Sequence, residues 1–167
     1  WREGALLIED GVAGVQRPYV RYFGDGDAVH LLFTEAHPRN YNNSMYYAVF
    51  RNGKFFRADG TLIKKLAADG ALTPGEADCV YHGGEGHGAW GSDIGVDEAG
   101  VPHVAFSGRH SFLDHRYHYA YWDGRAWQER EIAHAGAGLY KKEQDYTGLA
   151  TIDPADPWRV YIASDVD

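Results

Sequence analysis

The chain has 167 residues, of which 44% are apolar and 24% charged, a globular balance rather than that of a disordered segment. Sixteen Lys and Arg against 24 Asp and Glu give a net charge of −8, which argues against a non-specific nucleic-acid binder or a protein held on an anionic membrane. No apolar run approaches the roughly 18 residues of a membrane span, and the single cysteine, Cys79, excludes an internal disulfide framework.

Twenty-one glycines and 14% aromatic residues favour many short strands joined by tight turns. In chain order, a leading strand is predicted over Ala5 to Glu9, then a strand over Val29 to Thr34 and another from Tyr46 to the turn Asn52-Gly53. Leu62 to Ala68 alone has helical character, for one or two turns. Four strands follow at Ser92 to Asp97, Val101 to Ser107, Arg116 to Trp122 and Ala126 to Ile132, with Asp123-Gly124 as a tight turn matching Asn52-Gly53. The last signals are Ile152-Asp153 and Val160 to Ser164.

These elements repeat. His30, Phe33, Thr34 and His37 match His103, Phe106, Ser107 and His110 at a spacing of 73 residues; Tyr46 and Gly53 match Tyr117 and Gly124 at 71. A third copy begins near Tyr146. Four strands per repeat is the mark of a β-propeller blade. The prediction is therefore an all-β protein: a β-propeller fragment of four-stranded antiparallel blades, over 17–73 and 90–134, with an incomplete blade at 146–167. Two blades cannot close a ring. Trp1 is not a natural start, so we expect a longer chain to supply the remaining blades, and the end blades here to leave apolar faces uncovered.

Blade geometry sorts the loops onto two faces. One face carries short acidic turns at Asp25, Asp27, Asp97, Glu98, Asp123, Asp153 and Asp156. The other carries Glu35 to Asn43, Asp78 to Trp90, Gly108 to His115 and His134 to Tyr146. Reactive side chains concentrate on this second face, where a rigid scaffold usually presents a site. They include His37, Arg39, Tyr41, His82, His87, Trp90, Arg109, His110, Tyr140, Lys141, Lys142 and Tyr146. Each has a plainer reading: His37 and Arg39 as loop locks, Tyr41 as a packing aromatic, Arg57 as half of a surface ion pair. His30 and His103 lie in strands and read as structural. Cys79, His82 and His87 are three metal-ligand types in a Gly-rich loop without a clear fourth.

Phe33-Thr34-Glu35-Ala36-His37-Pro38-Arg39, Asn43, Tyr46-Tyr47 and Phe56-Arg57-Ala58-Asp59-Gly60-Thr61 resemble the BNR-repeat-containing family that includes the ulvan lyases. Tyr121-Trp122-Asp123-Gly124 with Trp127, Ala135-Gly136, Leu139-Tyr140, Tyr146 with Gly148, and Asp153-Pro154 continue the resemblance. It implies part of a seven-bladed propeller and β-elimination on an acidic polysaccharide, the expected partner. Such a reaction neutralises a uronate carboxylate, removes the C5 proton and protonates the departing O4. The resemblance implies Tyr41 as acid/base, Arg57 or Arg39 as carboxylate partner, and His37 and His110 as further candidates. Arg39, Arg109, His110, Trp90, Tyr140 and Tyr146 would bind substrate. No cofactor is required for this chemistry, a structural metal aside, and secretion or a periplasmic location is implied. Two alternatives stay open: a sialidase-like hydrolase using Glu143 with Tyr140 or Tyr146, and a non-catalytic glycan-binding propeller using Trp90, Tyr140 and Tyr146 as sugar platforms.

Overall fold

The computed structural model describes residues 4–14, 17–139 and 141–164. Strands β1 (Val20–Asp25), β2 (Ala28–Phe33), β3 (Met45–Arg51), β4 (Lys54–Phe56), β5 (Leu62–Lys65) and β6 (Asp78–Tyr81) form the first sheet. β7 (Gly88–Val96), β8 (Pro102–Ser111), β9 (Asp114–Trp122) and β10 (Trp127–Gly136) form the second, an antiparallel meander. β11 (Ala150–Asp153) and β12 (Asp156–Ile162) begin a third. Alternation explains the layering, because successive side chains point to opposite faces. Leu32, Met45 and Tyr47 meet Ile94, Val104, Phe106 and Ala120 between the first two sheets. Ala105 and Tyr117 meet Ala150 and Ile152 between the second and third.

The fourth position of the first blade is shared by two strands. β4 pairs with Val49, Phe50 and Arg51, while β6 pairs with Met45, Tyr46 and Tyr47 along the same edge of β3. The residues between them make an excursion whose Leu72 and Ala77 cover Leu31, Phe33, Ala48 and Phe55. Within it, the segment expected to be helical is mostly β5, which pairs with β4, followed by one helical turn at Leu66–Asp69. Sheet hydrogen bonds at an open strand edge outweigh the helical propensity of so short a run. The leading strand is likewise absent: Ile8 makes a single bridge to Leu72, inside the first blade's own cluster.

Register revises the repeat by one residue. Phe33 faces Tyr46, and its equivalent Phe106 faces His118, so the third strands correspond at 72 residues and Tyr47 matches Tyr119. The two turns are not the same. Asn52 and Gly53, at φ 50 and 73, make a two-residue hairpin closed by Arg51 and Lys54. The second is a four-residue loop between Trp122 and Trp127, held by Asp123 Oδ1, which accepts from the amides of Arg125 and Ala126 at 2.8 Å each.

The expected site loops are also shorter than predicted. Gly108 to Ser111 extends β8 and Asp114-His115 opens β9, leaving only Phe112 and Leu113 as the turn. Asp78 to Tyr81 is β6, and Gly88 to Trp90 opens β7. Paired, partly covered backbone continues where polar sequence suggested loop. Among the described residues no helix is long and apolar enough to cross a membrane.

Candidate functional site

The segments after β2, after β6 and after β10 meet at one end of the sheets. Thr34 and Asn43 hold the first of these. Thr34 Oγ1 donates to the Ala36 carbonyl at 2.7 Å, and Asn43 Oδ1 accepts from the Ala36 amide at 2.8 Å. Ser44 and Asn43 then dock the second segment. Gly83 donates from its amide to Ser44 Oγ at 3.1 Å, and Ala89 from its amide to the Asn43 carbonyl at 2.8 Å.

The result is a cleft of about 290 Å³ lined by Tyr19, Arg21, His37, Arg39, Trp90, Glu143 and Tyr146. That volume stands at the small end of ligand pockets, roughly 300–1,000 Å³. Its aromatic wall is continuous. Trp90 lies 5.1 Å from Tyr19, 5.6 Å from His37 and 5.0 Å from Tyr146, ring centre to ring centre. Trp90 also belongs to a neighbouring recess shared with Pro38, Tyr41, Gly88, Ala89, Arg109 and Asp145.

His37 Nδ1 accepts from the Arg39 amide at 3.1 Å, which leaves Nε2 as the protonated nitrogen of the neutral ring. Burial, with Arg39 nearby, holds its pKa below the ordinary histidine value, while Asp145 opposes them. Arg39 is clamped by Glu143: its Nε donates to Oε2 at 3.1 Å and its Nη2 bonds Oε1. Arg109 pairs with Asp145 and donates to Asn42 Oδ1 at 3.0 Å. The pairs tie the segment after β2 and the end of β8 to the segment after β10.

Six expected residues therefore converge on this end: His37, Arg39, Tyr41, Trp90, Arg109 and Tyr146. His110 is exposed at the tip of the β8–β9 hairpin. Arg57 is not brought to the cleft. β6 places Asp78 beside it, so its guanidinium bonds Asp78 Oδ1 at 2.9 Å and the Glu76 carbonyl at 2.8 Å. Tyr140 lies outside the described residues. Glu143 is held by Arg39, and among the described residues no side-chain hydrogen bond joins it to Tyr146, whose ring packs on Trp90.

Cys79 Sγ lies 3.4 Å from His82 Nδ1 and donates to the Tyr81 carbonyl at 3.4 Å. Among the described residues no three His, Cys, Asp or Glu side chains stand close enough to hold a metal ion.

Two residues escaped the sequence reading. Arg21 lines the cleft from β1, donating from Nε to the Gly91 carbonyl at 3.3 Å across the blade boundary. His115 is fully buried beside Arg109 and Asp145, and burial is the largest influence holding its pKa down. Neither carries a local pattern. Arg21 finds its partner 70 residues away, and His115 is buried between its own hairpin and the segment after β10.

The family model for BNR repeat-containing family members matches residues 2–135. Among solved structures, an ulvan lyase of polysaccharide lyase family PL25 bound to -[GlcA(1-4)Rha3S]- superposes with a TM-score of 0.60 at 13% identity, covering 94% of this chain and 39% of that one. A second ulvan lyase structure gives 0.59 at 12% identity with the same coverage. No curated protein matches the sequence. The likeness establishes the propeller fold, and the chain spans 39% of the length of those structures.

Proposed function

The chain belongs to the BNR repeat-containing family, and from that premise we propose that it is part of a polysaccharide lyase cleaving a uronate-containing glycan by β-elimination. The observation that carries the reading is the meeting of His37, Arg39, Tyr41 and Trp90 around one cleft and its adjoining recess. The ulvan lyases with the same fold supply its chemical direction.

In this mechanism a guanidinium neutralises the uronate carboxylate, which acidifies the C5 proton. Of the two arginines named from the sequence, Arg39 is the one at the cleft. Tyr41, in its deprotonated form, takes the C5 proton. The C5–H electrons form the C4=C5 double bond, the C4–O4 bond breaks, and the departing O4 takes a proton. His37 would serve O4, because its Nε2 carries the ring proton once Nδ1 accepts from the Arg39 amide. Tyr146 would carry a sugar face; Trp90, named from the sequence as a sugar platform, is buried and packs behind it. Acidic polysaccharides are extracellular, so the protein would act outside the cell or in the periplasm.

The test is formation of a product absorbing in the ultraviolet when the protein meets a glucuronate-containing polysaccharide. Tyr41→Phe removes only the ionisable hydroxyl, so it should abolish elimination and leave glycan binding nearly intact. Wild-type turnover in that variant would return Tyr41 to a packing role. A non-catalytic glycan-binding propeller is the second reading, favoured by the carboxylates that already occupy Arg39 and Arg109. Binding without unsaturated product would identify it.

A further inference from the structure

Three arginines border the cleft and its recess, and they differ in what holds them. Arg39 is paired with Glu143 and Arg109 with Asp145. Arg21 has no carboxylate partner among the described residues; its one hydrogen bond there runs from Nε to the backbone carbonyl of Gly91. A guanidinium presents five donors, so most of this one's capacity is uncommitted to side chains.

Its position is fixed by packing. Arg21 faces Leu32 across the β1–β2 ladder, and its stem crosses toward Gly91 on the next blade. A Cβ at Gly91 would stand 3.7 Å from Arg21 Cγ, an ordinary contact, so the stem lies directly against this glycine. Tyr19, two residues earlier, packs on both Trp90 and His37. The charge thus lines the same cleft as this aromatic wall.

We propose that Arg21 is the specificity-determining cation of the cleft, binding the carboxylate of an acidic sugar whose ring stacks on the half-buried Tyr146, with the buried Trp90 packed behind it. The inference rests on the reading of this cleft as a uronate-glycan site and adds a residue to it. A planar fork bonded at Nε still offers both Nη groups, the geometry that accepts a carboxylate. Arg39, paired with Glu143, would neutralise the carboxylate in the elimination step only on exchanging that partner, so binding the carboxylate beforehand falls to Arg21.

The experiment is calorimetric titration of the protein with a short glucuronate-containing oligosaccharide, its carboxyl-reduced neutral form, and a sulfated oligosaccharide lacking uronate. Wild type should prefer the glucuronate ligand to the reduced one by tenfold or more. Arg21→Gln should erase that preference while binding the neutral form as wild type does. Arg21→Lys, which keeps the stem and the charge, should restore part of it and guards against misfolding as the cause. Arg39→Gln should change the preference only a few-fold.

The proposal is overturned if wild type shows no preference, if Arg21→Gln retains it, or if Arg39→Gln alone abolishes it. Equal binding of the sulfated ligand overturns the carboxylate assignment. Arg21-dependent binding with no ultraviolet-absorbing product would sink the lyase reading and leave the subsite standing. Product formation unaffected by Arg21→Gln would do the reverse.

Discussion

The Tyr119 hydroxyl stands 2.5 Å from His103 Nδ1 and 3.0 Å from the carbonyl oxygen of Pro157. A carbonyl can only accept, so the hydroxyl donates to Pro157 and His103 Nδ1 must donate to the hydroxyl. This chain of donors joins the second blade to the third. The equivalent pair in the first blade, Tyr47 with His30 Nδ1 at 2.5 Å, makes no such onward bond among the described residues.

Tyr119→Phe should therefore destabilise more than Tyr47→Phe. The first leaves two buried groups without a partner and the second leaves one, at about 1–3 kcal/mol for each orphaned group. Denaturant unfolding of the two variants side by side makes the comparison. Equal losses would mean that the Pro157 bond contributes nothing.

Acid should weaken the fold before any carboxylate titrates. His30, His103 and His115 are all held below the ordinary value of 6.5, burial being the largest cause in each. Asp25 raises His30, while Arg51 lowers it; Asp97 raises His103; Arg109 and Asp145 act oppositely on His115. The unfolded chain then binds these protons at a higher pH than the folded one. Stability is full above 6.5 and falls as pH drops from there toward the folded values. Unfolding midpoints measured from pH 7.5 to 5 should decline; a flat profile would contradict the burial argument.

Gly83→Ala should cost about 1–3 kcal/mol by overpacking. A Cβ there would lie 1.8 Å from the Asn43 carbonyl oxygen, and backbone cannot yield as a side chain can. The neighbouring Gly84→Ala is the control, since it meets only the His87 ring at 3.1 Å. Because Gly83 docks the loop that follows Tyr41, the first variant should also weaken glycan binding, and the second should not.

The blade pattern was legible because hairpins leave local signals: alternating strands, Asn52-Gly53, the run from His103 to Trp122. The one-residue error came from equating two turns by their dipeptides, when the Asp123 side chain closes a longer loop. The shared fourth position was illegible, since β6 returns to β3 only after a 21-residue excursion between β4 and β6. Arg21 was hidden for a related reason. It reads as one polar residue of an inner strand, and its meaning depends on Gly91.

Glu143→Gln should raise affinity for an acidic oligosaccharide by freeing Arg39, and leave stability almost unchanged. The pair is exposed on the arginine side, at 48%, and exposed pairs contribute only about 0–1 kcal/mol. Titration calorimetry and thermal unfolding read the two effects separately. A large loss of stability with no gain in affinity would make Glu143 a structural clamp.

The first blade's outer side predicts how the isolated chain behaves. Register makes Leu31, Phe33 and Ala48 the equivalents of Val104, Phe106 and Ala120. In the second blade those three receive Leu32, Met45 and Tyr47 from its neighbour. In the first blade Leu72 and Ala77 cover those three instead, and a groove of about 970 Å³ runs beside them past Leu6, Leu7, Val20, Tyr22, Val29 and Leu31. Leu6 and Tyr22 are 64% and 74% exposed there. A contiguous apolar surface of this kind drives association. The 167-residue chain should therefore bind the dye ANS and scatter light increasingly with concentration. Replacing Leu6 and Tyr22 together by Ser should reduce both signals, with the β circular-dichroism spectrum unchanged because neither side chain is in the packed core. A monodisperse wild-type monomer that binds no ANS would show that the groove does not act as an open blade face.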